Sequence, residues 1–395
     1  MWLKSGEFAR ERLVWAACLS ALLASACEPI AEPEDFTRAP VVVFERNVLK
    51  PAPEQGNPAQ LRVVAWNIKY AAGRIPFWFD CFGDRVEMTQ AEVDTNMQGI
   101  YGLINEIKPD ILMTEETEVN SKRSAYFNMV RGILEHTDLN YAAYFETWNS
   151  RYIASEGLGR LNLGNAIFSR YPIEFAEKIR QDDRTDQDAL TKTFYIHRAV
   201  GRAEIRIRKD KLVTAMVVHT EAYDNDGTKQ KQIKQVFQLM QDEKNSFVLG
   251  GDFNELPLTA VRKEGFPDER ARPVCDSDFK QPPYTPEVMK PFYDTYLNHI
   301  SLTEYGVTES QQRRYFSHTI MGPDDSNDTG EHGFWNRTLD FLWIAKKDSW
   351  VPGGSDVLQQ KGQKVGGDKG LGPVLQSDVL RLSDHAPVTG IWEVK

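Results

Sequence analysis

The chain has 395 residues, 41% of them hydrophobic and 26% charged, which is the profile of a globular protein with a sizeable core. Disorder, collagen and coiled coil are excluded as descriptions of the whole. Acidic residues number 57 against 47 basic ones, a net charge of −10. That balance disfavours a broad grip on polyanions, so any phosphate-bearing substrate has to be met by a local site.

Lys4, Arg10 and Arg12 precede an apolar run over 13–26 that is shorter than a membrane span and arranged as a signal peptide. The run closes on Leu23-Ala24-Ser25-Ala26-Cys27, which resembles the lipobox of bacterial lipoproteins. That resemblance implies a signal peptide over 1–26, a lipidated Cys27 and anchoring to the membrane, with Glu28 favouring the outer membrane of the cell envelope. The alternative is a secreted or periplasmic protein cut near Ala26. Pro29, Pro33, Pro40, Pro51, Pro53 and Pro58 suit an extended tether over 27–60, and the folded domain is expected over 61–395. Cys81 and Cys275 remain in it, as one disulfide or as two thiols.

Within the domain, residues 61–66 and 111–113 read as strands around an amphipathic helix that puts Val93, Met97, Ile100, Tyr101, Ile104 and Ile107 on one face. Further strands are expected over 166–169, 203–207, 212–218, 247–249, 339–344 and 388–394. A second helix is marked by Ile233, Val236, Phe237 and Met240. This mixture points to sheet layers covered by helices. Residues 71–94, 260–312 and 352–377 read as insertions on that scaffold.

The informative polar residues flank these strands: Asn67, Glu115 and Glu116, His219, Asp252 and Asn254, Asp384 and His385, with Asp340 inside a strand. Hard oxygen donors such as Asn67, Glu116 and Asp252 suit Mg²⁺ or Mn²⁺. The histidines are then free for proton transfer or for hydrogen bonding to a developing anion. Together these are the parts needed to hydrolyse a phosphate ester.

Seven segments in order, Trp66-Asn67, 109–116 (PDILMTEE), 164–170 (GNAIFSR), Val218-His219-Thr220, Gly251-Asp252-Phe253-Asn254, Arg337-Thr338-Leu339-Asp340 and Ser383-Asp384-His385, resemble the endonuclease/exonuclease/phosphatase (DNase I-like) superfamily. The resemblance implies a four-layered α/β/β/α sandwich with two mixed β-sheets and a site at one sheet edge. It implies Glu116 as the principal metal ligand, with Asn67 and Asp384 as further ligands, direct or through water. Asp252 would position or deprotonate the attacking water, Asn254 would orient the phosphate and Asp252, and His219 would donate to a phosphate oxygen. His385 would act as acid/base or transition-state donor, with Asp340 holding a catalytic imidazole in its tautomer. The division of work between the two histidines stays open.

Two departures stand out. Glu115 replaces the usual Gln, as a second cation ligand or a solvent-facing carboxylate. Thr220-Glu221-Ala222 follows His219 where Leu is common. Asn165 either touches phosphate or caps a turn, and Trp78, in the aromatic run 77–82, either walls the cleft or packs on its own domain. Arg198 and His197 are taken as scaffold, His318 and His332 as surface residues. The expected protein is a monomeric, divalent-metal-dependent phosphoesterase, nuclease-like, with nucleic acid, phospholipid or a small phosphorylated molecule as substrate. A sphingomyelinase or other phospholipid phosphodiesterase, and a non-catalytic surface binding protein, are the alternatives.

Overall fold

In the computed structural model the described residues are 37–395, apart from 79, 81–82, 223–225, 272–284, 327–329, 331 and 368–369. The signal peptide, Cys27, Cys81 and Cys275 therefore lie outside them. The first strands are β1 (Arg38–Pro40), β2 (Val43–Glu45), β3 (Ala59–Asn67), β4 (Ile111–Glu118), β5 (Tyr141–Ile153) and β6 (Gly159–Ser169). They are followed by β7 (Ile173–Arg180), β8 (Ala199–Arg208), β9 (Lys211–His219), β10 (Ser246–Asp252) and β11 (Tyr296–Asn298). The last are β12 (Asp340–Ala345), β13 (Ser349–Trp350), β14 (Asp356–Val357) and β15 (Val388–Val394). One sheet runs β1-β7-β8-β9-β10-β12-β11 and the other β13-β15-β3-β4-β6-β5-β2, with β14 paired to β15.

The inner strands are apolar on both faces because both faces are covered. Val63, Ala65, Met113 and Ile167 of one sheet share a single core with Ala215, Val217, Val248 and Leu342 of the other. Gly250 allows the close approach: a Cβ there would stand 2.7 Å from Met113 Cε and 3.0 Å from Ala65 Cβ, across the sheet interface. On one outer face lie α1 (Gln90–Ile107), started by a Thr89/Glu92 capping box, and α2 (Met129–His136). On the other, α3 (Thr228–Asp242) buries Ile233, Val236 and Met240 against Met216, Val218 and Leu249. Helix, sheet, sheet and helix make the four layers of an α/β/β/α sandwich.

The stretch expected as a tether is part of this sandwich from Arg38 onward. β1 pairs with β7 and β2 with β5, so each sheet receives an edge strand from it. The Asn140 side chain holds both the amide and the carbonyl of Lys50, and Tyr171 Oη donates to the Pro53 carbonyl. Proline composition misleads here because an edge strand tolerates proline on its unpaired side.

The β-ladder brings the motif residues to one sheet edge. β3 and β4 are parallel, with Asn67 opposite Glu115, and β9 and β10 are parallel, with His219 opposite Asp252. β12 runs antiparallel to β10 and sets Asp340 opposite Asp252. β15 runs antiparallel to β3, which brings the segment just before it, with Asp384 and His385, back to the same edge.

Candidate active site

Asp252 is the centre of the site. Its Oδ2 lies 3.3 Å from Asn67 Nδ2, 3.4 Å from His219 Nε2 and 3.5 Å from His385 Nε2, and all four residues are buried. Its Oδ1 accepts the Asn254 amide at 2.8 Å. Asn254 sits in the left-handed region, φ 46°, and donates through its side chain to the Thr220 carbonyl. A non-glycine residue held there costs energy that the surrounding bonds have to supply, a pattern found at functional sites.

His385 is fixed on its far side. Its Nδ1 donates to Asp340 Oδ2 at 2.9 Å, and that same oxygen accepts Ser317 Oγ at 2.5 Å. Its carbonyl accepts Trp66 Nε1 at 2.9 Å. Burial alone would lower the imidazole pKa, but Asp340 and Asp252 outweigh it and lift His385 to about 10. The two histidines therefore differ: burial, helped by Arg198 and His385, holds His219 well below its ordinary value and neutral. Burial, opposed by His385 and reinforced by Asp340, raises Asp252 to about 7.

Glu116 lies on a β-bulge, where the β4–β6 register shifts between Thr114 and Thr117, and its φ of 53° turns the side chain into the site. Its Oε1 accepts Asn67 Nδ2 at 3.2 Å. The Asn67 Oδ1 accepts the Lys69 amide, so this side chain presents nitrogen, not oxygen, to Glu116 and Asp252. Burial and the neighbouring Asp384 raise the pKa of Glu116. A buried carboxylate with this excess of negative charge fits a hard divalent cation, which would relieve it.

Asp252, Asp340 and His385 also place ligand atoms within 4.8 Å of one another and form a buried group able to hold a metal. Their atoms are already joined by the His385–Asp340 hydrogen bond, which an ion would have to break. Glu116 makes the better ligand on that ground, and the trio the better proton-handling unit.

Several expectations change at this site. Glu115 does not face solvent: it is fully buried, both carboxylate oxygens lack a hydrogen-bond partner, and Oε1 lies 2.8 Å from where a Cβ on Gly251 would stand. Burial, then Asp340 and Asp252, push its pKa well above the carboxylate range. Asn165 caps no turn; it lies inside β6, across from the Glu115–Glu116 bulge, with its Nδ2 buried and unpaired. Trp78 is partly buried and packs against Ile153, Leu158 and Leu161, and the adjacent Phe77 is fully buried. Arg198 is buried beside Glu221, as scaffold, and adds its charge near His219.

His318 is not a surface residue. It is buried, its ring lies 4.6 Å from that of His385, and its Nδ1 has no hydrogen-bond partner. Lys69 and Arg74 were also missed. Lys69 Nζ pairs with Asp384 Oδ2 at 3.2 Å, and Arg74 donates to the carbonyls of Leu380 and Thr319. No motif surrounds His318 or Arg74, and only the position of Lys69, two residues after Asn67, hints at the site.

A carboxylate ringed by two imidazoles and an amide, with a second carboxylate suited to a cation beside it, defines a hydrolase of phosphate esters. A family model described as Endonuclease/Exonuclease/phosphatase family matches residues 65–385, and the chain belongs to that family of phosphoesterases. A comparison with curated proteins finds no match. Among solved structures, an endonuclease/exonuclease/phosphatase from Beutenbergia cavernae DSM 12333 is similar at 16% identity, over 85% of this chain and 72% of that one, with a TM-score of 0.49. A family protein from Leptotrichia buccalis C-1013-b is similar at 13% identity, over 84% and 99% of the two chains, with a TM-score of 0.48. The human Nocturnin catalytic domain with bound sulfate is similar at 14%, over 85% and 95%, with a TM-score of 0.46.

Proposed function

We propose that the chain is a divalent-metal-dependent phosphodiesterase, nuclease-like in its chemistry, that uses Mg²⁺ or Mn²⁺. The observation that carries this reading is the convergence of Asn67, His219 and His385 on one oxygen of Asp252. Glu116 would hold the cation, with Asp384 behind it. When bound, a divalent cation supplies a Lewis acid for a phosphoryl oxygen.

The remaining work belongs to side chains of this protein. Asp252, deprotonated, takes a proton from water at Oδ2 as the water oxygen bonds to phosphorus. The P–O bond to the leaving group breaks, and that oxygen takes a proton from Nε2 of the charged His385. Asp340 keeps His385 in the form that can give that proton, and neutral His219 donates a hydrogen bond to a phosphoryl oxygen. Asn254 fixes the other oxygen of Asp252, and Asn165, with its unpaired amide, binds phosphate.

We also place the protein at the bacterial cell envelope through a lipidated Cys27, a reading supported by the Leu23-Ala24-Ser25-Ala26-Cys27 sequence. Cys27→Ser is expected to move it from the membrane to the soluble fraction; unchanged fractionation would refute the anchor.

The test of the activity is hydrolysis of plasmid DNA, RNA, sphingomyelin and bis-p-nitrophenyl phosphate with Mg²⁺ or EDTA, beside a His385→Ala control. Mg²⁺-dependent DNA cleavage that the control lacks supports the nuclease reading. Cleavage of sphingomyelin alone would transfer it to lipid, and inactivity on every substrate would make the fold a binding scaffold.

A further inference from the structure

Lys69 is an unusual residue to find in a site built of carboxylates. Its side chain is only 8% exposed, and its Nζ lies 3.0 Å from Asp80 Oδ2 and 3.2 Å from Asp384 Oδ2. The backbone spends energy to put it there. Lys69, Tyr70 and Ala71 are all left-handed, at φ 43°, 41° and 56°, although none is glycine. Tyr70, within that turn, is held by the Arg123 guanidinium 3.5 Å above its ring.

Asp80 comes from the first insertion, and its Oδ2 also accepts the Phe77 amide at 3.0 Å. The insertion thus reaches the site through a carboxylate that holds the same Lys69 ammonium as Asp384. Cations crowd the Asp384 end of the site: besides Lys69, the charged His385 and Arg74 act to hold this carboxylate ionised, whereas burial keeps the neighbouring His318 neutral. At the Glu116 end the side-chain hydrogen bond found among the described residues comes from the neutral amide of Asn67. A divalent ion on Asp384 would stand against the Lys69 ammonium at close range in a buried site, where like charges repel most strongly. The charges of Arg123 and His385 are also felt at Glu116, but the Lys69 ammonium pairs directly with Asp384.

We propose that Lys69 is a built-in cation that occupies the Asp384 end of the site, so that the protein takes one divalent ion, on Glu116, and not two. This inference rests on the metal-dependent reading above. It assigns Lys69 and Asp80 as positioning residues that set the metal count, and it gives the first insertion a role in the site's electrostatics.

The test counts ions rather than turnover. Full-length protein is titrated with Mn²⁺, and free Mn²⁺ is read by electron paramagnetic resonance, with thermal melting as the check on folding. The wild type and Lys69→Arg are expected to bind one ion. Lys69→Met is expected to bind two, and adding Asp384→Asn to it should return the count to one. If Lys69→Met does not fold, the double variant Lys69→Gln/Asp80→Asn keeps a neutral hydrogen-bonded pair and is expected to bind two. Two ions in the wild type, or one in the variants that remove the ammonium, would overturn the inference while leaving metal dependence intact. No ion in the wild type would overturn the metal-dependent reading, and this inference with it.

Discussion

Asp340 Oδ2 and His385 Nδ1 meet at 2.9 Å across 45 residues of sequence, and neither group reaches bulk solvent. This bond selects which ring nitrogen faces Asp252 and keeps the ring charged. Asp340→Asn preserves the shape but can hold the ring in the wrong tautomer and removes the charge. We expect kcat on bis-p-nitrophenyl phosphate to fall about 10²- to 10⁴-fold, the range of a lost acid–base group, with KM little changed. A loss below tenfold would make Asp340 structural only.

The directions of the shifts fix the pH behaviour. Asp252 acts as a base only when deprotonated, so activity rises with pH through about 7. His385 donates only when protonated, so activity falls as pH rises through about 10. In EDTA-treated protein, nitrogen-resolved NMR of the imidazoles should show His385 titrating near the upper value and His219 neutral throughout the neutral range. A His385 signal titrating near its ordinary value, about 6.5, would contradict the charged-donor role.

Glu116 is a buried carboxylate whose charge opposes stability. Its buried charge is raised in energy by Asp384, and among the described residues its side-chain hydrogen-bond donor is Asn67. Glu116→Ala is expected to raise the Tm of metal-free protein by about 2 °C, the shift that ~1 kcal/mol gives in a large domain. The same change should cost at least about 10²-fold in Mg²⁺-dependent turnover. A variant that keeps its metal response would remove Glu116 from the ligand set.

His318 and His332 form a matched pair for testing the site's extent. His318 is buried against His385, whereas His332 is exposed. His318→Ala should lower kcat about tenfold, in line with loss of one hydrogen-bonding or packing contact to the reacting group. His332→Ala should leave kcat unchanged, and equal effects would deny His318 a place in the site.

The edge strands give a test of where the domain starts. A chain beginning at residue 37 retains β1 and β2, and one beginning at Ala59 exposes the edges of β7 and β5. The shorter chain is expected to melt lower and to self-associate in light scattering, because unpaired strand edges recruit other strands. Identical melting and a monomeric shorter chain would restore the tether boundary near residue 60.

The residues by themselves determined the layered α/β class and the main catalytic candidates. They could, because a strand buried on both faces leaves a continuous apolar run, and the polar residue that ends it is conspicuous. Asn67, His219 and Asp252 end such strands, Glu116 follows the apolar start of β4, and His385 comes just before β15. Only the tertiary structure decided that Asp340 serves His385, that Glu115 is sealed between the sheets, and that His318, Lys69 and Asp80 belong to the site. Those assignments depend on which strands pair, on a bulge that turns Glu116 inward, and on a left-handed turn after Asn67. Such relations are set by burial and electrostatics between distant segments, and no local pattern of residues encodes them.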